Sequence, residues 1–149
     1  MSALWDSRFL TLADTIAQWS KDPSTKVGAV IVNDKRIIMG VGYNGFPRGV
    51  DDSEESYADR ELKHRMVVHA EANAILNARG SVEGCTLYVS PLPPCAECAK
   101  LIIQAGISKV IARAPSGTAM KRWGESFHTA GSMLNQADVV QHWELGDWT

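Results

Sequence analysis

Cys85-Thr86-Leu87-Tyr88-Val89-Ser90-Pro91-Leu92-Pro93-Pro94-Cys95-Ala96-Glu97-Cys98 changes its structural character part-way along. Residues 85–89 read as a strand, and the proline-rich run Ser90 to Pro94 breaks it. Pro93 and Pro94 suit a tight lead into a helix N-terminus. A helix is expected from Cys95 through Ile103, closing at Gly106. If Cys95 opens that helix, the sulfurs of Cys95 and Cys98 fall on one face of its first turn. There the unpaired N–H groups and the positive helix end favour thiolate over thiol. The C-x₂-C interval is typical of zinc. It also marks thioredoxin-like redox sites and half of a four-ligand structural zinc, for which Cys85, His64, His128 and His142 are available.

Upstream, Met66-Val67-Val68 runs into His69-Ala70-Glu71 and on through Ala72, Ala74, Ile75, Leu76 and Ala78. This is a second helix, ended by Gly80. Its N-terminus can converge on the same ion, adding the His69 imidazole to the two sulfurs. Three protein ligands leave the fourth tetrahedral position open, the pattern of a catalytic rather than a structural zinc. Glu71 is then a non-ligand carboxylate placed to move protons on a metal-bound water.

Elsewhere the pattern is α/β. Trp5, Phe9, Leu12, Ile16 and Trp19 recur at three- and four-residue intervals from Leu4 to about Ser20, an amphipathic helix with these five on the core. Val27 to Val32 is apolar on both faces, as in a buried strand. Asn33-Asp34-Lys35 turns the chain, and Arg36 to Gly42 returns as the second strand of a hairpin. Tyr43 to Gly49 is a loop leaving a strand end, and Asn44 within it is read first as a turn former. Val50 to Arg65 reads as a solvated acidic loop, or more sharply as a cover over the site with Tyr57 as a stacking ring. Lys109 to Ala112 is a fourth strand, Ala114 to Gly124 a loop, Glu125 to Gln136 a helix and Val139-Val140 a short last strand. The tail from His142 to Thr149 shows little pattern.

The order α-β-β-α-β-α-β-α-β predicts a three-layer α/β/α domain spanning residues 1–149. It would hold a five-stranded mixed sheet with helices on both faces and the last two strands parallel. With 149 residues, 45% hydrophobic and 21% charged, the chain can bury a core without staples. The N-terminus lacks a signal-peptide pattern, no apolar run reaches membrane-spanning length, and three cysteines do not make a disulfide framework. A cytoplasmic location is expected. A net charge of −2 argues against a polynucleotide partner held through its phosphates and leaves a small anionic ligand open.

Taken together, His69-Ala70-Glu71 and Pro94-Cys95-Ala96-Glu97-Cys98 match the H-x-E…P-C-x-x-C signature of zinc deaminases. With Asp22 to Ala29, Gly42-Tyr43-Asn44-Gly45-Phe46-Pro47, His69 to Ile75 and Cys85 to Val89, the chain resembles the cytidine deaminase superfamily. Within it the Gly-Tyr-Asn-Gly stretch points to the deoxycytidylate (dCMP) deaminase family. The resemblance implies a cytidine-deaminase-like fold and one Zn²⁺ on His69, Cys95 and Cys98. It implies hydrolytic deamination of dCMP to dUMP plus ammonia by a zinc-bound hydroxide, with Glu71 as proton shuttle. It also implies a substrate pocket in which the Ala70 N–H binds the ring O2, backbone near Ser90 receives the amino group, and Asn44 contacts the sugar. Homo-oligomers, hexamer or dimer, are usual in the family, as is regulation by dCTP and dTTP with Mg²⁺. Where family members carry aromatic residues after the fourth strand, this chain reads Arg113-Ala114-Pro115-Ser116-Gly117. Tyr57, Phe46 and Trp123 are then the candidates for base stacking, and Lys26, Arg48, Arg113, Lys121 and Arg122 for the 5′-phosphate. The alternatives are an RNA or tRNA base deaminase and a catalytically silent nucleotide-binding zinc protein.

Overall fold

A computed structural model describes residues 2–145. Five strands form one sheet in the order β2-β1-β3-β4-β5, with β1 Gly28–Val32, β2 Ile38–Tyr43, β3 Thr86–Ser90, β4 Lys109–Arg113 and β5 Val140–Glu144. β1 runs antiparallel to both β2 and β3, whereas β3, β4 and β5 are parallel. The two parallel steps are spanned by helices α5 (Ala96–Gln104) and α6 (Gly117–Gln136). The mixed five-stranded sheet and its α/β/α layering are as the sequence predicts.

Side chains alternate across β1. Ala29 and Ile31 face a core shared with α4 (Ala70–Asn77), α5 and α6, while Val30 and Val32 face α1 (Ala3–Ala17) together with Tyr88 and Ile111. Every residue of β1 is buried, as its unbroken apolar run implies. β2 carries Gly42 against α4, and a Cβ there would stand 2.5 Å from the Ala70 carbonyl oxygen. The bare backbone lets the N-terminus of α4 lie directly on the sheet.

Four local expectations are corrected. Trp19 lies beyond the end of α1 and is 58% exposed, edge-on to Tyr43, so it is not core; Leu10 and Ala13 fill that role. The acidic stretch 50–65 is not a loop but two short helices, α2 (Glu54–Ala58) and α3 (Arg60–Met66). Ser53 caps the first by accepting from the Ser56 N–H, and Asp59 caps the second by accepting from the Leu62 N–H. The loop assigned to 114–124 is largely helix, because α6 begins at Gly117 under a Ser116 cap. Burial of Ala119, Phe127, Ala130 and Leu134 along one stripe outweighs the helix cost of its glycines. The last strand runs on through His142 and Trp143 to Glu144, hydrogen-bonded to β4. The rest of the tail assigned from the sequence, residues 146–149, lies outside the described residues.

Candidate active site

The site lies beyond the carboxyl end of β3, the usual ligand position in an α/β sheet. His69 is the N-cap of α4 and Cys95 the N-cap of α5, and neither helix start is closed by a side-chain cap. The Ala96 N–H donates instead to the Ser126 hydroxyl at 2.9 Å, tying α5 to α6. These two helix ends bring together residues 26 and 29 apart in the chain. His69 Nδ1 lies 3.4 Å from Cys95 Sγ and 3.3 Å from Cys98 Sγ, and the three donor atoms all fall within 4.8 Å of one another.

That donor set fits zinc. At the usual Zn–S and Zn–N lengths, tetrahedral neighbours stand about 3.6 Å apart, close to the spacings seen. No fourth Cys, His, Asp or Glu joins this group among the described residues. Cys85 is buried in the core, where desolvation raises its pKa, and His142 pairs with Glu144. His64, also offered from sequence for a fourth position, lines the neighbouring cavity without joining the group among the described residues.

Protons are shared among Cys95, Cys98 and His69. The Cys95 thiol is lowered to about 4, first by a hydrogen bond from Cys98 and then by His69, while Cys98 is pushed far up by the same contact. His69 is raised to about 8, chiefly by its hydrogen bond with Cys95. The favoured Cys95 thiolate thus owes most to its neighbour sulfur. Glu71, 4% exposed, is raised to about 7 by burial, with His69 pulling the other way.

A cavity of about 190 Å³ opens over these groups. His69, Ala70, Glu71 and Cys95 line one side, with Asp22, Asn44 and Lys63 along a wall. Arg122, Trp123 and Phe127 of α6 reach in from another element. The N–H of Ala70 has no hydrogen-bond partner among the described residues.

The other residues singled out from sequence fall as follows. Asn44 lines the cavity, but its amide is engaged: Oδ1 accepts from the Val27 N–H at 2.8 Å, and Nδ2 donates to the Thr25 carbonyl at 2.9 Å and to Asp22 Oδ2 at 3.4 Å. Ser90 is buried at the end of β3 and its hydroxyl donates to Asp14, which also holds Arg113. Lys26 is exposed and stands outside the cavity lining. Tyr57 is also outside it, stacked on Phe46 with centroids 4.5 Å apart and rings 7° from parallel. Of the three aromatic candidates only Trp123 lines the cavity, and of the five cations only Arg122. Asp22 and Lys63 were missed. Asp22 left a signal, since Asp-Pro-Ser-Thr forms a turn in which its carboxylate accepts the N–H groups of Ser24 and Thr25. Lys63 left none.

Residues 3–114 match the model of the cytidine and deoxycytidylate deaminase zinc-binding region. The chain belongs to the cytidine and deoxycytidylate deaminase family. A protein described as an uncharacterized deaminase in the luxG 3′ region of Aliivibrio fischeri is 45% identical over 143 residues, covering 96% of this chain and 95% of its own. Human deoxycytidylate deaminase is 50% identical over 113 residues, and the match spans 72% of this chain but only 63% of the human protein. Among solved structures, the dCMP deaminase of cyanophage S-TIM5 in complex with dCMP and dUMP superposes with a TM-score of 0.76 at 26% identity, over 97% of this chain and 99% of that one.

Proposed function

We propose that residues 1–149 form one deaminase unit that converts dCMP and water to dUMP and ammonia. The observation that carries the reading is the buried Glu71 carboxyl on the same cavity as a His/Cys/Cys set of zinc-compatible spacing. The cyanophage enzyme's complex with dCMP and dUMP, on a matching fold, supports the substrate class.

His69, Cys95 and Cys98 would hold the ion. Zinc, when bound, supplies a Lewis acid that makes water nucleophilic near neutral pH. Glu71 would do the proton work. A carboxylate oxygen takes one proton from the water as the water oxygen bonds C4, and delivers it to the ring nitrogen. It then takes the remaining proton from the C4 hydroxyl and gives it to the amine, so that C4=O forms as the C4–N bond breaks and ammonia leaves. Burial raises the Glu71 carboxyl, the direction suited to a group that both accepts and releases protons. The Ala70 N–H, at an uncapped helix start, is free to bind the ring O2. Trp123 offers the base a ring face, and Arg122 offers the 5′-phosphate a guanidinium on the same helix.

The Mg²⁺-dependent response to dCTP and dTTP, the homo-oligomeric state and the cytoplasmic location belong to the same reading. Effector titration and solution mass test the first two. Among the described residues, no helix is long and apolar enough to cross a membrane.

The test is ammonia release from dCMP, CMP, deoxycytidine, cytosine and a tRNA, with wild type and Glu71→Gln. Wild type should favour dCMP. Glu71→Gln should keep one zinc per chain while losing about 10²- to 10⁴-fold in kcat, the usual weight of general acid–base catalysis. Turnover of RNA alone, or an active Glu71→Gln protein, would sink the proposal.

A further inference from the structure

Lys63 is a charged side chain almost wholly inside the protein, and nothing in the metal chemistry uses it. Its side chain is 10% exposed, and its Nζ lies 3.3 Å from Asp22 Oδ1, itself 5% exposed. Ions of this kind are rarely buried, and a buried pair commonly costs in desolvation about what it returns in attraction. Stability alone is thus a poor account of the pair. Its position is a better one, because both residues line the cavity that holds Glu71 and His69.

The hydrogen-bond inventory of that wall is lopsided. Asp22 Oδ1 is saturated by the N–H groups of Ser24 and Thr25 and by Lys63, and Oδ2 takes the Asn44 amide. Asn44 has committed both N–H groups and keeps only spare acceptor capacity on Oδ1. Lys63 has three N–H donors and one partner among the described residues. A desolvated ammonium with donors to spare, facing a cavity, calls for an oxygen acceptor from the ligand.

We propose that Lys63, clamped by Asp22, is a specificity-determining residue that donates to a sugar hydroxyl or phosphate oxygen of the nucleotide. On this assignment Asn44 chiefly secures the wall and can accept from, but not donate to, the sugar. The inference rests on the nucleotide-deaminase reading of the same cavity and assigns the donor within it.

The experiment is calorimetric binding of dUMP and of deoxyuridine to zinc-loaded wild type, Lys63→Met, Lys63→Arg and the double variant Lys63→Met/Asp22→Asn. The double variant removes both charges, so that no carboxylate is left buried alone. Steady-state deamination of dCMP is measured alongside. Lys63→Met and the double variant should weaken dUMP binding by between about ten- and a hundredfold, the range for a hydrogen bond to a charged group. KM should rise more than kcat falls, and Lys63→Arg should restore part of the loss. A loss confined to dUMP assigns the contact to phosphate, and an equal loss for deoxyuridine assigns it to a sugar hydroxyl. Unchanged affinity in a zinc-loaded variant overturns the inference. So does loss of zinc and fold in both Met variants, which would make Lys63 structural. Wild type that binds dUMP but turns over no cytosine compound sinks the proposed activity and leaves this test intact.

Discussion

The two sides of the cavity are built by opposite means. On the metal side, His69, Cys95 and Cys98 stand at two uncapped helix starts and spend their donor atoms on one another. Along the rest of the lining, Asp22, Asn44 and Lys63, backed by Ser20, form a buried polar network in which nearly every group already has a protein partner. The first side gathers three donor atoms at zinc spacing, whereas the second has most of its polar atoms in hydrogen bonds to protein. Removing a member should therefore have different consequences. Loss on the metal side abolishes the reacting centre, while loss on the wall changes which ligand is held and how tightly.

The largest effect should come from Cys98→Ala. It removes a proposed ligand that is itself only 2% exposed. Zinc content should fall from one per chain to near zero. Stability should drop by more than about 4 kcal/mol relative to the zinc-loaded protein, the range reserved for loss of a metal or comparable anchor. Metal analysis and thermal unfolding check both. A Cys98→Ala protein that holds stoichiometric zinc would show that another residue completes the site and would undo the contrast.

Next in size is a substitution beneath the metal side, at a residue outside the cavity lining. In Gly42→Ala the new methyl group meets the Ala70 carbonyl and the backbone of Ala74, so α4 must shift or tilt. Because α4 starts at the proposed metal ligand His69 and carries Glu71, its displacement should reach the chemistry. The expected cost is about 1–3 kcal/mol of stability, the usual range for overpacking. Zinc affinity should fall with it, whereas the Asp22–Lys63 pair, mounted on other segments, should keep its place. Chelator competition for zinc and denaturant unfolding read the two effects. Full zinc affinity in a destabilised Gly42→Ala protein would mean that the metal side does not depend on this helix seat.

How far each side could be read in advance follows from residue chemistry more than from distance along the chain. The metal partners lie 26 and 29 residues apart, Asp22 and Asn44 only 22. Cysteine and histidine at zinc spacing are rare in any other role, so His69, Cys95 and Cys98 announce their use. Asp22, Asn44 and Lys63 are the commonest of surface residues, and only burial, which is a tertiary property, separates them from solvated ones. The same holds for the elements. Strands β1, β3 and β4 were legible because a strand buried through its middle must be apolar there, and β2 because a turn at Asn33 to Lys35 returns it against β1 as a hairpin. Helices α2 and α3 were hidden by an acidic composition that suggests loop, although Ser53 and Asp59 stood at their caps. The first turns of α6 were hidden by Pro115, Gly117 and Gly124. That misreading placed Arg122 and Trp123 on a loop, when a helix aims them at the cavity.

A control away from both sides should have the smallest effect on the site and give the cleanest sign. Tyr88 lies on the α1 face of the sheet, and its hydroxyl donates to Asp6 at 2.7 Å. Burial and the neighbouring carboxylate both raise its pKa above the ordinary value of 10.0. The unfolded chain therefore loses this phenolic proton before the folded one does. The contribution is fully present below pH 10 and is lost as pH rises above it, by up to about 1.4 kcal/mol per pH unit. Tyr88→Phe should cost about 1–3 kcal/mol near neutral pH, because Asp6 loses this donor while still buried. Above pH 10 the gap between variant and wild type should narrow, since only the wild type still has the proton to lose. Zinc content and dUMP affinity should not change at neutral pH. Urea unfolding of both proteins from pH 7 to pH 11 measures the gap. A gap that widens with pH would reverse the sign argued for Tyr88, and a change in dUMP affinity would show that the two faces of the sheet are coupled through β3.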